Sequence, residues 1–472
     1  MTYDYVIVGA GSAGCVLAAR LSEDPGTSVL LIEAGPRDRA KEIRIPAAFS
    51  KLFRSRFDWG FQTEPQPGLN GRSIFFPRGK TLGGSSAMNA QMWLPGYPAD
   101  HDAWPEGWKW PDVAPWYERI HRGPIALHPL RDPSPMSRAF VEGAAASGVE
   151  AALVTVTQRY GLRHSTADAY LKPARRRSNL TVQTDTQVDA IEFDGLRASG
   201  ARCGEDVIEA RREVIVSAGA IGSPQLLMRS GVGPAAHLAE HGIPLVAELP
   251  VGQNLQDHPM AIALFEAGSD SLFSAESPLQ LVRLLTRRRG MLTSNVGEAA
   301  AFVRTREDLP APDLELVFGP VLYLDEGLSV PDAHGFSIGC VALQPRSRGW
   351  VTLEGIDPRY LTDPDDLRVI AHGVELARRI AGAGPLGRWL TRERAPGEAE
   401  LEPWIRSVAH TIYHPVGTCA IGRVVDSKLR VRGVEHLRVI DASVMPALPR
   451  GHTHAPTVML AERAASLIQL AL

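Results

Sequence analysis

A glycine-rich turn near the N-terminus constrains this chain more than any other feature. Gly9-x-Gly11-x-x-Gly14 directly follows the apolar, β-branched run Tyr5-Val-Ile-Val8 and opens a stretch, Cys15 to Leu21, with apolar residues at helical spacing. A second apolar run, Ser28 to Ile32, ends on the acid Glu33. Strand, glycine turn, helix and strand in that order predict one βαβ unit of parallel strands over residues 4–33. The glycines let the backbone approach a pyrophosphate at the positive end of the helix, and Glu33 is placed to accept hydrogen bonds from ribose hydroxyls. An acid there, in place of an arginine, disfavours a 2′-phosphate. The pattern specifies a dinucleotide and leaves NAD and FAD both open.

At 472 residues the chain exceeds the roughly 250–300 residues at which single cores stop growing, so two domains are expected. Fifty basic against 53 acidic residues leave a net charge of −3, which removes the footprint of a nucleic-acid binder and indicates no polyanionic partner. The run without charge from Thr81 to Ala99 contains Gly83, Gly84, Ser85, Ser86, Asn89, Pro95 and Gly96, and so is no membrane-spanning helix. The N-terminus carries neither a basic region nor a small-residue cleavage site, which predicts a cytoplasmic protein. Cys15, Cys203, Cys340 and Cys419 form no CxxC pair, so neither a zinc cage nor a disulfide framework is expected.

Residues 36–115 are studded with Gly, Pro and Trp without a sustained period, and read as irregular structure wrapped over something functional. Strands are expected at Leu180 to Thr184 and Val214 to Ser217, and helices at Pro224 to Ser230 and Ala235 to His241. From about Met260 a second domain is expected, with a helix at Pro278 to Arg289 and strands at Leu314 to Phe318 and Phe336 to Leu343. The triplets Arg175-Arg176-Arg177 and Arg287-Arg288-Arg289 read as solvated helix ends. After Pro403 come a short strand at Arg438 and a closing helix over Ala455 to Leu472.

Two further clusters carry chemistry. Gly79 to Asn89 is a second run of small residues whose backbone N–H groups suit a pyrophosphate or the polar edge of a ring. His414-Pro-Val-Gly417-Thr418 and Gly451-His452-Thr-His454 lie on Gly/Pro-bounded loops, with Asp441-Ala-Ser443 between them. Imidazoles on such loops suit proton transfer near neutral pH. No Cys or carboxylate spacing nearby resembles a metal cage, so no metal is expected.

Together these segments resemble the glucose-methanol-choline (GMC) FAD-dependent oxidoreductases. VIVGAGSAG and LLIEAG look like the FAD-binding start of that family, and GKTLGGSSAMN and GAIGSPQLLMRSGVG like its two signatures. VGQNLQDH (Val251 to His258), HPVGTCAIG and DASVMPALPRGHTHAPTVMLAERAA look like the link and the catalytic C-terminal segments, so the resemblance spans the chain. It implies an α/β fold: a Rossmann-like FAD-binding domain over 1–256, a substrate-binding domain on an antiparallel sheet flanked by helices over 257–404, and a return over 405–472. The implied reaction oxidises a primary alcohol to an aldehyde by hydride transfer to flavin N5, with His414 as base and His452 orienting the substrate oxygen. Gly9, Gly11, Ser12, Gly14, Glu33 and Ala34 would bind the ADP half of FAD, with the Val188 backbone at adenine. Gly83, Gly84, Ser86 and Asn89 would cradle the pyrophosphate and isoalloxazine side; Asp441, Ala442 and Thr453 complete the cofactor set. Ile412, Tyr413 and His454 are expected in the substrate pocket, with three imidazoles clustered near the flavin.

Where relatives with covalent flavin carry a linking His, this chain has Met88, so non-covalent FAD is expected. Ile421 stands where the family's HPxGT segment has a methionine. The chain is short for the family, with losses after Gly123, after Ala151 and around Arg359. Expected partners are a small-molecule alcohol and an electron acceptor (O2, a quinone or another redox carrier), in a monomer or homodimer. The competing readings are an electron-relay dehydrogenase with a dedicated carrier, a hydroxynitrile lyase that keeps FAD, and an NAD-dependent enzyme, which leaves GGSSAMN and HPVGT unexplained.

Overall fold

The computed structural model describes residues 2–470. The glycine fingerprint forms the expected unit: strand Thr2–Val8, helix Ser12–Leu21 and strand Val29–Ile32, with Tyr5 opposite Val29 and Val8 opposite Ile32 in parallel register. All four residues of Val29–Ile32 are buried, because a parallel strand covered on both faces needs an unbroken apolar run. Leu180–Gln183 and Asp206–Val216 extend the sheet in parallel on either side, and Leu437–Val439 returns to pair with Val214 to Val216. The antiparallel strands Ala190–Asp194 and Arg197–Cys203 finish one edge. The last helix, His454–Gln469, packs on Ser12–Leu21, with the buried Glu462 accepting from Arg20 and from the Tyr170 hydroxyl. Positions 471 and 472, included in the expected closing helix, lie outside the described residues.

The second sheet is antiparallel, in the order Leu390–Ala395, Pro259–Ala267, Gly335–Ala342, Leu314–Gly319, Ala299–Val303 and Ala151–Leu153. Its side chains alternate between two environments. Ala261, Ala263, Phe265, Leu316, Phe318 and Ile338 pack in a core with the helix Pro364–Gly382, which presents Leu367, Ile370, Val374, Ala377 and Ile380 at helical spacing. Met260, Ile262, Val317, Gly319, Ser337 and Gly339 on the other face line a cavity between the sheet and the βαβ unit. Among the described residues no helix is long and apolar enough to cross a membrane.

Three features differ from expectation. Helix Pro135–Ala146 and strand Ala151–Leu153 fall within 1–256 yet pack in the second sheet's layer, where Ala151 to Leu153 pair with Ala299 to Ala301. The chain therefore visits the second layer before leaving the first. Residues 36–115 are irregular as expected but include the paired strands Phe61–Gln62 and Phe75–Phe76 and the start of helix Trp110–His121. The helix expected to begin at Pro224 runs from Gly219 to Arg229 and contains the proline. Pro224 has no N–H to offer the Ala220 carbonyl one turn earlier. The Thr418 hydroxyl supplies that donor from outside the helix, at 2.7 Å.

Candidate active site

One cavity of about 480 Å³ gathers both ends of the predicted site. Gly9, Gly11, Ser12, Glu33, Ala34, Gly84, Ser86, Asn89, Val188, Asp441, Ala442 and Thr453 line it, together with Ile412, Tyr413, His414, His452 and His454. Gly14 and Gly83 do not reach its wall and act from behind. A Cβ at Gly14 would run into the Gly9 carbonyl oxygen, so glycine is what lets the helix close on the turn. Gly83 donates its N–H to Ala10 O at 2.8 Å, tying the second glycine cluster to the first. Gly84 sits at φ 51° where a Cβ would stand 2.7 Å from Gly11 Cα. The two loops are therefore packed backbone on backbone.

At this end Glu33 is buried and accepts the N–H groups of Ala10 and Gly35, each at 2.9 Å. Burial pushes its carboxyl up to about 7. With no cationic side chain bonded to it, its remaining lone pairs suit a pair of ribose hydroxyls. Ser86, Asn89 and Asp441 are engaged by the protein. The Ser86 hydroxyl donates to Gly83 O, Asn89 Oδ1 accepts from Arg163, and Asp441 accepts from Gly219 N–H, Ser223 Oγ and Ser443 N–H. These side chains hold loops in place, leaving backbone as the cradle, and this set fits a dinucleotide bound through its pyrophosphate. Met88 lies among Phe49, Phe53, Phe57 and Phe75.

At the other end His414 and His452 have ring centroids 4.5 Å apart. The third imidazole of the cluster is His258, not His454. His454 accepts or donates to Ser12 Oγ at 3.2 Å and stands edge-on to Trp93, beside the cofactor helix. His258 Nε2 is 3.0 Å from the Leu343 carbonyl and its Nδ1 is 3.0 Å from His414 Nδ1. A carbonyl only accepts, so His258 carries its proton on Nε2 and presents a bare Nδ1. His414 then donates from Nδ1, which leaves its Nε2 as a free lone pair. Burial, reinforced by the neighbouring imidazoles, holds the His414 pKa well below the usual histidine range, and burial takes His258 down to about 3. Both rings are neutral at pH 7.

Two carboxylates outside the predicted set fix this arrangement. Asp257 accepts the backbone N–H of His414 at 2.7 Å, the Thr411 hydroxyl at 2.5 Å and the Tyr360 hydroxyl. Glu315, on the cavity face of its strand and fully buried, lies 3.2 Å from His452 Nε2. A carboxylate oxygen accepts, so His452 Nε2 bears a proton and the ring is fixed in orientation. The sequence signal for Glu315 is a lone acid in the strand Leu314-Glu-Leu-Val-Phe318; Asp257 and His258 lie in the VGQNLQDH segment.

The sequence pattern of the GMC oxidoreductases matches residues 3–260 and 345–461. The chain belongs to the GMC oxidoreductase family. An uncharacterized GMC-type oxidoreductase of Mycobacterium tuberculosis is 47% identical to it over 522 residues, covering 99% of each chain. An alcohol dehydrogenase (acceptor) of Pseudomonas putida is 39% identical over 528 residues, covering 99% of this chain and 95% of its own. The structure of pyridoxine 4-oxidase from Mesorbium loti superposes with a TM-score of 0.90 at 32% identity over 99% of both chains. GMC oxidoreductases bind FAD, and the family acts on alcohol-type donors. The alignments to these two relatives run longer than the 472 residues of this GMC oxidoreductase.

Proposed function

We propose that this GMC oxidoreductase oxidises an uncharged, apolar primary alcohol to its aldehyde, with His414 as the base and FAD held without a covalent bond. The observation that carries the reading is the chain from the Leu343 carbonyl through His258 to His414, which leaves Nε2 of a neutral imidazole without a protein partner on the cavity wall. That nitrogen takes the hydroxyl proton as the C–H bond gives up its electron pair and the C=O bond forms. Bound FAD supplies the acceptor for the hydride. His452, its Nε2 held by Glu315, stands beside His414 and positions the substrate oxygen. Met88 offers a thioether where a covalent link needs an imidazole, which supports the non-covalent part of the reading.

Substrate polarity follows from the wall. Met260, Ile262, Val317, Phe49 and Phe53 line the cavity near the histidines, and Arg78 lines it as well. The nearby carboxylates, Asp257 and Glu315, already hold protein donors. An ammonium group entering here would lose its hydration without gaining a counter-ion, at a cost of several kcal/mol.

Anaerobic mixing of the yellow enzyme with a linear aliphatic alcohol tests both parts. His414→Ala should slow flavin reduction by roughly two to four orders of magnitude while retaining FAD that acid precipitation releases. Unchanged reduction in that variant would overturn the base, and faster reduction by choline than by the apolar alcohol would overturn the substrate class.

A further inference from the structure

Outside the cavity, one surface element is built against ordinary practice for a solvated helix. Helix Pro278–Arg287 buries only Gln280 and Leu284 against the protein. At 3.6 residues per turn the opposite face carries Leu279, Val282 and Leu285, which are 57%, 54% and 62% exposed. Leu281 on one flank and Phe273 just before the helix are also exposed, so among the described residues five of the 14 exposed large apolar side chains fall between residues 273 and 285. Clustering of that kind marks a contact surface, whereas scattered apolar residues do not.

The charges on the helix itself have one sign. Arg283 and Arg287 lie along the other flank and Arg288 and Arg289 follow at its end, with Arg287 and Arg283 exposed. Arg289 is 3.8 Å from Asp132, and the one acid leading into the helix, Glu276, is paired with Lys51 at 2.5 Å. The net charge of −3 conceals this local excess. Three apolar side chains one helical turn apart, edged by arginines whose stems can reach sideways, match a helix lying in the plane of an anionic bilayer surface. A second copy of this chain would bring its own arginines to the contact, which disfavours self-association through the same face.

We infer that Pro278–Arg287 docks this protein peripherally on anionic phospholipid. The placement has a functional consequence. The turn Met291–Thr293, just after the helix, packs against Pro46–Leu52, whose Phe49 lines the cavity, and the Lys51–Glu276 pair ties Pro46–Leu52 to the residues just before the helix. Docking would therefore hold the cavity's apolar side near a bilayer, where apolar alcohols and quinones dissolve. The inference stands on the surface alone and does not depend on the reaction proposed above.

Sedimentation of the holoenzyme with vesicles tests it. The protein should bind phosphatidylglycerol-containing vesicles at low salt, bind pure phosphatidylcholine much less, and be released by high salt. Val282→Gln with Leu285→Gln should weaken binding about tenfold or more, while alcohol-driven dye reduction in solution stays unchanged. Arg283→Gln with Arg287→Gln should remove most of the lipid and salt dependence with the apolar face intact. Absence of binding to the anionic vesicles, or undiminished wild-type binding by both double variants, would overturn the inference. So would a wild-type dimer that Val282→Gln with Leu285→Gln dissociates, which would make the face a contact between copies.

Discussion

The two ends of the cavity are built by opposite means. The cofactor end is made of backbone: Gly9, Gly11, Gly14 and Gly84 bring main chains together, and the side chains of Ser86, Asn89 and Asp441 are used up holding loops. The histidine end is made of side chains. His258, Glu315, His414 and His452 arrive from four separate segments and are fixed by hydrogen bonds that span the chain. The first end tolerates no added volume, and the second tolerates no lost partner.

Adding one methyl group should break the first end. In Gly14→Ala the new Cβ collides with the Gly9 carbonyl oxygen, and a collision with backbone cannot be relieved by a rotamer change. The strain is of the order of 1–3 kcal/mol, and it falls on the turn that must approach the pyrophosphate. The variant should purify largely colourless, with an FAD dissociation constant raised about tenfold to a hundredfold. Full flavin occupancy at wild-type affinity would show that the cradle is not sterically set.

Removing one acceptor should break the second end and spare the first. His258→Leu takes away the lone pair that receives the His414 Nδ1 proton, so the tautomer with a bare Nε2 is no longer favoured. FAD should stay bound, and kcat should fall about tenfold to a hundredfold with KM little changed. The same chain predicts the wild-type pH profile. A depressed pKa keeps His414 neutral as pH falls through the ordinary value of about 6.5, so the acid limb of kcat/KM lies below that pH. An acid limb at or above 6.5, or an unaltered kcat in His258→Leu, would remove the positioning role of His258.

This contrast also explains what was legible in the sequence. The βαβ unit was readable because its turn, helix and acid are neighbours in the chain, each glycine answering to a local backbone demand. His414 and His452 were reachable through short motifs on loops. The role of His258 was not, since its partner is 156 residues away and the motif around it reads as a link. Glu315 was hidden for a related reason: an acid on an otherwise apolar strand is informative only once the strand's two faces are assigned. His454 lines the same cavity, yet it begins the last helix and turns toward Ser12, a direction that its place two residues after His452 does not reveal. The early visit of Ala151–Leu153 to the second sheet leaves no local trace, because pairing with Ala299 to Ala301 is set by tertiary packing.

The smallest expected effect probes whether the cofactor end has any side-chain dependence of its own. Pro224 leaves the Ala220 carbonyl without its helical donor, and Thr418 Oγ1 fills the gap. In Thr418→Val that buried carbonyl loses its partner, which should cost about 1–2 kcal/mol, visible as a lower denaturant midpoint with FAD still bound. Pro224→Ala restores an N–H one turn along from Ala220, so in that background the same threonine replacement should cost clearly less. A double-mutant cycle of chemical unfolding reads the difference directly. A coupling energy near zero would mean that the threonine and the proline act independently, and that the start of the Gly219–Arg229 helix does not need the Thr418 hydroxyl in place of the missing N–H.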